Sequence, residues 1–296
     1  MVHKQTFSRK LFVVSNTLVL TLITMLGIIP FIHLLAISLS SNTAAMAGEV
    51  KLWPVGFNLD SYAYLSEKVE FFRSFWVSIE RVFLGTVVNM LLVFFTAYPL
   101  SQPNDRFKFR TLYVWFFAIT LFFSGGLIPS YIVVKETGLI NSIWSLILPG
   151  ALSVWNMVLM LNFFRSIPKE LEEAATIDGA GHLRVLWQIY LPVSLPSIAT
   201  IGLFTIVGHW NAWFDGILYL NSPEKYPLQT YLSTLIMSIN AQMSSMSIEQ
   251  LKLMENLSEK TLKTAQIFMG ALPIMLVYPF LQKYFVKGIT IGSVKE

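Results

Sequence analysis

The chain contains no cysteine and few charged residues. Of its 296 residues, only 13% are Asp, Glu, Lys or Arg, whereas soluble domains carry roughly 25%. Without cysteine, disulfides and thiolate metal sites are excluded. Apolar residues make up 54% of the chain, and a soluble globule of this length could not bury so much apolar surface. The composition therefore predicts an integral membrane protein.

Sequence motifs of enzymes are absent as well. The chain has no Walker phosphate loop, no GxSxG elbow and no HExxH pair, and its four histidines lack metal-ligand spacing. The acids outside the apolar segments are scattered, which argues against a rival class, an integral-membrane glycosyltransferase with a catalytic acid pair. The net charge is only +4, with no Arg-rich patch among aromatics. We expect no catalytic activity, no metal or cofactor in this chain and no nucleic-acid partner.

Six segments are long and apolar enough to cross a bilayer, which takes roughly 20 residues each. They run near 11–39, 75–100, 111–134, 143–164, 186–210 and 265–286. The first apolar run is too long for a signal peptide, so we interpret it as an uncleaved helix. The sequence predicts an all-α integral membrane protein with six transmembrane helices, in a single domain over 1–296.

Basic residues predict the orientation of these spans. Twelve Lys and Arg residues in short segments share one side: Lys4, Arg9, Lys10, Arg106, Lys108, Arg110, Arg165, Lys169, Arg184, Lys283, Lys287 and Lys295. Short cytoplasmic segments are enriched in Lys and Arg, so this side is predicted to be cytoplasmic. Both termini and the segment 165–185 then lie inside the cell, while 40–73 and 214–260 are external.

The most specific pattern lies in the polar segment between the fourth and fifth spans. From Glu173 the chain reads EAATIDGAGHLRVLWQIYLP, which fits E-A-A, three residues, G, nine residues, I-x-L-P. At average residue usage, such a match has a chance on the order of one in a million. Pro168 suits the start of a helix, and Gly179 or Gly181 can end it in a left-handed turn. A helix of about ten residues is unstable alone in water, so it needs a partner surface.

This segment resembles the cytoplasmic coupling loop of importer-type ATP-binding-cassette (ABC) permeases. Other stretches extend the resemblance over nearly the whole chain: TAYPLS, GLIPSYIVVKETGLINSIWSLILPG, IVGHWNAWF, KYPLQ and QKYFVKGITIGSVKE. Together they look like the second permease subunit of carbohydrate importers of the maltose-type, type I class. GHWNAWF and KYPLQ are similar to the branch near lipoprotein-family permeases that import alginate and pectin oligosaccharides. One departure is Gly181 before His182, where the family pattern often has serine; it would loosen the helix end.

The resemblance implies a type I permease fold in the cell inner membrane and a defined set of partners. These are a second homologous permease, an ABC ATPase dimer that holds ATP and Mg, an extracytoplasmic solute-binding protein and an oligosaccharide. It assigns ATPase coupling to the cytoplasmic helix, through Glu173, Ala174, Ala175, Asp178 and Gly179. The external segment 214–260 is expected to dock the solute-binding protein. An ABC permease for an amino acid, phosphate or metal remains the alternative.

A candidate substrate path lies where the fifth predicted span reaches the outer side. Trp210, Asn211 and Trp213 combine aromatic planes with an amide, which suits the apolar face and hydroxyls of a sugar. Glu80 and Arg81 lie near the outer end of the second span, where charge commonly faces a cavity. The alternatives are an interfacial tryptophan belt and charges that extend to the membrane surface.

Glycine and proline residues interrupt three of the predicted spans. Irregular backbone is tolerated at membrane depth where it packs on protein or lines water. Bends that serve gating and bends that serve packing are both consistent with this pattern. The residues are Gly125, Gly126 and Pro129 in the third span, Pro192 and Pro196 in the fifth, and Pro273 and Pro279 in the sixth.

Overall fold

A computed structural model describes residues 7–67, 69–243 and 259–293, and the regular structure in these ranges is helical. The first four helices are α1 (Phe7–Ser38), α2 (Asn42–Ala47), α3 (Asp60–Glu67) and α4 (Val69–Ser101). They are followed by α5 (Arg110–Phe122), α6 (Leu127–Glu136), α7 (Trp144–Ile147) with a 3₁₀ turn at Leu148–Gly150, and α8 (Val154–Ser166).

The second half of the chain begins with the short helix α9 (Lys169–Ile177). After it come α10 (His182–Val185), a π-helical turn at Leu186–Tyr190, α11 (Leu191–Val193) and α12 (Leu195–Asn211). The last described elements are α13 (Phe214–Tyr219), a 3₁₀ turn at Pro223–Lys225, α14 (Leu228–Met243) and α15 (Glu259–Ser293).

Two helices are each long and apolar enough to cross a membrane. They are α1 and α4. Helix α1 contains the predicted span 11–39 except for residue 39, and α4 contains the predicted span 75–100. Three further predicted spans, 111–134, 143–164 and 186–210, are not continuous helices. Each is a helix pair with a sharp bend, of 117° between α5 and α6, 51° at α7–α8, and 85° between α10–α11 and α12.

The breaks follow from local backbone chemistry. Gly126 has a φ of 81°, a conformation that favours glycine, and it separates α5 from α6. Ser153 caps α8, because its side chain accepts a hydrogen bond from the backbone amide of Asn156. The sequence analysis did not predict this break before α8. Pro196 stands in the first turn of α12, as predicted. By contrast, α15 continues through Pro273 and Pro279.

The described residues contain up to five candidate spans if each bent pair counts as one. The sixth predicted span, 265–286, lies within α15. The total of six spans and the single domain over 1–296 stay predictions. The predicted external segment 214–260 contains α13 and α14, and its residues 244–258 lie outside the described residues.

The described residues form two compact units, one built from 7–67 and Val69 with 235–243 and 259–272, the other from 70–234 with 273–293. In the first unit, Ala36, Ile37, Ala44, Ala45 and Val50 form one buried cluster. A second cluster joins Leu65 to Leu262 and Ala265. Lys260 Nζ donates to the Ala45 carbonyl at 2.7 Å, so α15 is tied to α2 as well.

The core of the second unit lies among α4, α8 and the π-helical turn that leads into α12. Its members include Val93, Ala97, Met160, Phe164 and Leu186, each almost fully buried. Because these helices pack closely, the core fixes the position of the chain segments that connect them.

A buried polar chain links the same helices within this core. Asn89 on α4 donates to the Ala151 carbonyl at 2.9 Å and accepts from the Thr205 hydroxyl of α12 at 3.2 Å. The side-chain amide of Asn156 on α8 donates through Nδ2 to the same hydroxyl at 3.2 Å. Since buried polar groups must be paired, these hydrogen-bonded side chains favour one relative placement of the three helices.

Close packing of α4 against α12 also depends on Gly85. A Cβ at this position would overlap the imidazole of His209. Gly208 on α12 provides a contrast, because a Cβ there would meet no atom within 4 Å.

Gly85→Ala should therefore destabilise the protein although alanine is the better helix former. We expect a loss of about 1–3 kcal/mol of unfolding free energy, the usual cost of overpacking. Gly208→Ala, the matched control, should be neutral or stabilising by up to about 1 kcal/mol. Thermal unfolding of the purified variants in detergent measures both, and equal unfolding temperatures would contradict the close contact.

Candidate functional site

The polar segment with the E-A-A pattern folds as the short helix α9. Pro168 stands directly before its first residue, and Gly179 follows it with a φ of 79°. The Gly179 amide donates to the Thr176 carbonyl at 3.0 Å, and the Ala180 amide donates to the Ala175 carbonyl at 2.9 Å. These two bonds form a Schellman motif, which requires a left-handed residue at Gly179. Gly181 has an ordinary φ of −74°, so the predicted left-handed turn falls at Gly179.

One face of α9 is open to solvent in this chain. Glu173, Ala174 and Asp178 are exposed on it, and Ala175 is partly buried at its edge. Ile177 lies on the same face with 86% of its surface exposed. A face with small, apolar and acidic side chains can accept a close protein partner that presents basic groups.

The opposite face of α9 carries a buried carboxylate, that of Glu172, which is only 4% exposed. Arg106 Nη1 donates to Glu172 Oε1 at 2.7 Å and forms an ion pair with it. Tyr190 donates its hydroxyl to Oε2 at 2.6 Å, and Gln102 Nε2 donates to the same oxygen at 3.3 Å. Glu172 therefore joins α9 to the segment after α4 and to the start of the bent fifth span.

Aromatic contacts surround this carboxylate. The Tyr190 ring packs edge-on against Tyr98 at 5.0 Å and against Phe164 at 5.3 Å between ring centroids. Tyr98 also shares a hydrogen bond of 3.2 Å with His182 Nδ1. The rings pack on the Tyr190 side of the Glu172 network and bring four helical segments together.

A cavity of about 380 Å³ lies beside the buried carboxylate. Its lining residues come from the end of α4, the connection to α5, the end of α8 and from α9. The lining includes Arg106, Arg110, Arg165 and Lys169, together with Glu172 and Glu173. The cavity thus lies between part of α9 and the ends of α4 and α8.

The candidate substrate-path residues lie in the second unit, on α4 and at the end of α12. Trp210 is 4% exposed and packs edge-on against Phe75 at 5.9 Å between centroids. Asn211 and Trp213 are exposed. The structure thus buries Trp210 within this chain and leaves the other two open to a partner, and a role of the three in the substrate path stays a prediction.

Arg81 and Glu80 have opposite environments. Arg81 is 2% exposed, forms an ion pair with Asp215 and donates to the Ala212 carbonyl at 3.1 Å. Its charge is therefore paired with a carboxylate inside the chain rather than extended to the membrane surface. Glu80 is exposed and lines a shallow pocket with Trp76 and Phe83.

The sequence analysis did not identify Glu172 or Asp215 as members of buried polar contacts. Glu172 and Glu173 are adjacent, and only the helix phase decides which of them faces the core. Asp215 is the partner of Arg81, 134 positions away in sequence. A lone acid after a predicted span gives no signal of such a pairing. Within the described ranges, no three His, Asp or Glu side chains come together as metal ligands would.

Comparison with known families gives one match over most of the chain. Residues 82–291 match the family described as binding-protein-dependent transport system inner membrane component. The matched range includes α9 and the partners of Glu172.

Similar proteins match over nearly their full length. The chain is 40% identical over 288 residues to Protein LplC of Bacillus subtilis (strain 168), covering 97% of this chain and 95% of that protein. It is 38% identical over 276 residues to the polygalacturonan/rhamnogalacturonan transport system permease protein YtcP of the same organism, covering 93% and 95%. A crystal structure of a bacterial ABC transporter involved in import of the acidic polysaccharide alginate has a chain that is 31% identical, with a TM-score of 0.83 and coverage of 95% and 99%.

Glu172→Gln tests whether the buried carboxylate holds α9 in place. The substitution keeps the shape of the side chain but removes the charge that Arg106 and Tyr190 contact. Because the Arg106 side chain is 42% exposed and water screens this pair, we expect a loss of about 1–2 kcal/mol in unfolding free energy.

Thermal unfolding of purified protein measures this loss, with Glu170→Gln on the exposed part of α9 as the control. A double-mutant cycle with Arg106→Gln should give a smaller loss than the sum of the single changes. Strictly additive losses would show that the ion pair does not stabilise the fold.

Proposed function

The chain belongs to the family of binding-protein-dependent transport system inner membrane components, and from this premise we propose that it forms half of the translocation path of an ATP-driven importer for an oligosaccharide. It is a transport subunit of the cell membrane rather than an enzyme. The observation that carries the substrate class is the 38% identity, along almost the whole chain, to a permease for polygalacturonan and rhamnogalacturonan.

The proposed substrate is an acidic oligosaccharide. The permease YtcP is named for galacturonate-containing polymers, and the similar crystal structure belongs to an alginate importer. Both polymers carry a carboxylate on their sugar rings. A chain that is 31–38% identical to both over more than 90% of its length is best explained as a permease for a pectin- or alginate-type fragment.

The chain would work with partners that supply what it lacks. A second, homologous permease would complete the pore, and a solute-binding protein outside the membrane would deliver the sugar. An ATPase dimer would bind ATP and Mg on the cytoplasmic side. The external segment 214–260, which includes α13 and α14, is proposed as the docking surface for the solute-binding protein.

Energy coupling is proposed to run through α9. The exposed face with Glu173, Ala174 and Ile177 would insert into a groove of the ATPase, where the acids meet basic groups. The opposite face is held by Glu172 to Arg106 and Tyr190. Movement of α9 would therefore pull on the end of α4 and on the start of the fifth span at the same time.

The sugar path is proposed to pass the outer end of α12. Asn211 and Trp213 are exposed there and offer an amide and an aromatic plane to a sugar ring. Glu80 lies on an exposed face of α4, and a charge that faced lipid would be costly, so it would face the second permease or the aqueous path. Trp210 and Arg81, which are buried, would pack behind the residues that line the path and hold them in position.

Variants of the coupling helix should lose transport without loss of membrane insertion. Glu173→Lys reverses a charge that meets basic groups on the ATPase, and Gly179→Leu forces a branched side chain into a left-handed residue. We expect ATPase binding and sugar uptake to fall about tenfold or more, equivalent to about 1.4 kcal/mol.

Each variant has a matched control on the same side of the membrane. Asp105→Lys makes the same charge change on an exposed residue outside α9, and Gly181→Leu places the same side chain at a glycine with an ordinary φ. Both should keep most of the uptake. Normal ATPase binding and uptake by Glu173→Lys and Gly179→Leu would refute the coupling role.

The substrate is tested with the assembled importer in proteoliposomes. We expect uptake of oligogalacturonate or oligoalginate that depends on ATP and on the solute-binding protein, with no uptake of neutral maltodextrin of equal length. Uptake of the neutral sugar alone would overturn the acidic substrate. Uptake of an amino acid, phosphate or metal ion and of neither sugar would overturn the carbohydrate function.

A further inference from the structure

An exposed aromatic loop follows the end of α1 in the first unit. We call residues 51–59, with the sequence KLWPVGFNL, the aromatic loop. Trp53 is 82% exposed and Phe57 is 65% exposed, and the neighbouring apolar side chains are also open: Leu52, Val55 and Leu59. So much exposed apolar surface in one short loop indicates an interaction site.

The loop is held firmly against the end of α1. The Ser41 amide donates to the Val55 carbonyl at 2.9 Å, and the Val55 amide donates to the Ser40 hydroxyl at 3.0 Å. The Asn58 amide donates to the Leu39 carbonyl at 3.1 Å. These bonds fix the backbone, so the exposed rings project from a rigid base.

Two further features maintain this base. Val50, directly before the loop, is buried in the cluster with Ala36 and Ile37 of α1. Gly56 has a φ of 64° and lies so close to Ser41 that a Cβ would approach its hydroxyl at 2.8 Å. The loop therefore has a defined conformation although its apolar side chains face outward.

The contacts also set the depth of the loop along α1. The His33 ring hydrogen-bonds the Lys51 carbonyl, and His33 lies five residues before the last residue of α1. At 1.5 Å per residue, the start of the loop lies about 7.5 Å inside the end of this helix. Ser40 and Ser41, which bind the middle of the loop, lie just beyond it. Because α1 is a candidate span, the loop lies beside one end of a span.

We propose that the aromatic loop inserts into the lipid headgroup region and anchors the end of α1. Tryptophan and other aromatic side chains are favoured at this depth, and apolar faces of membrane-bound segments enter about 5–10 Å into the boundary with the acyl chains. Lys51 is exposed at the edge of the loop, where its ammonium can reach lipid phosphates. The inference rests on the membrane location of the family and not on the proposed sugar.

Lipid is favoured over a protein partner because the loop continues the apolar surface of α1. Along an 18-residue apolar window of α1, no residue is buried against the described part of the chain. The loop extends this surface to the headgroup level, where a docking site for an external protein would have to stand further from the bilayer.

Single cysteines test the depth of the loop, since the chain has none of its own. Trp53→Cys and Phe57→Cys each carry an environment-sensitive fluorophore in the assembled importer, in vesicles of phosphatidylethanolamine and phosphatidylglycerol. Quenching is measured with lipid nitroxides placed next to the headgroup or near the acyl-chain end, and with iodide in water. Leu18→Cys, within the apolar part of α1, and Asp105→Cys, in the polar connection after α4, are the controls.

Probes at positions 53 and 57 should lose most of their fluorescence to the nitroxide next to the headgroup and less to the deep nitroxide. The probe at 18 should show the reverse order, and the probe at 105 should respond to iodide alone. Quenching of positions 53 and 57 by iodide alone would overturn the proposal.

Two other outcomes would also overturn it. In the first, the lipid nitroxides do not quench the probes, and iodide quenching is lost only when the solute-binding protein is added. This result would show that the loop docks the solute-binding protein. Protection from every quencher would assign it to the second permease. Sugar uptake by the same vesicles is recorded separately, so a wrong substrate changes the uptake and leaves the measured depth unchanged.

Discussion

The buried carboxylate of Glu172 is a polar contact that joins α9 to the membrane-spanning part of the chain, beside the apolar packing of Ala175. A helix of nine residues is unstable alone, so its position depends on what it packs against. One side chain accepts hydrogen bonds from Arg106, Tyr190 and Gln102, and it thereby joins three segments that are distant in sequence. Removal of the carboxylate would leave buried donors unpaired, which is why the arrangement is specific as well as stable.

The same principle holds at membrane depth in the second unit. Lipid is as apolar as leucine, so helices in a bilayer gain little by burying apolar surface against one another. Polar contacts then decide which faces meet. The Asn89–Thr205–Asn156 chain fixes α4, α8 and α12, and the Arg81–Asp215 ion pair fixes the first half of α4 against the segment after α12. Gly85 allows the close approach on which these contacts depend.

The short helix α9 and the bent fifth span form the route through which we propose that movement is transmitted within the chain. The fifth span is broken between Val193 and Leu195, and its start carries Tyr190, the partner of Glu172. In the proposed coupling, a shift of α9 would act on a short, bent segment rather than on a whole rigid helix. In the first unit, the aromatic loop has the opposite character, because its backbone is tied to α1 at several points. A proposed moving part and a proposed anchor thus lie in different units of the chain.

The sequence by itself determined the class, the family and most of the helical segments. Apolar composition predicts a membrane protein because water disfavours so much apolar surface, and the spacing from Glu173 to Pro192 is specific enough to identify the family. The predicted helix before Gly179 is present, since its proline and glycine signals are local. The break before Val154 was missed although Pro149 and Gly150 precede it, because such residues also occur in continuous helices, as Pro273 and Pro279 do in α15. Tertiary structure alone decided that Glu172 rather than Glu173 faces the core, that Arg81 pairs with Asp215 and that Trp210 is buried, because each depends on contacts between segments far apart in the chain.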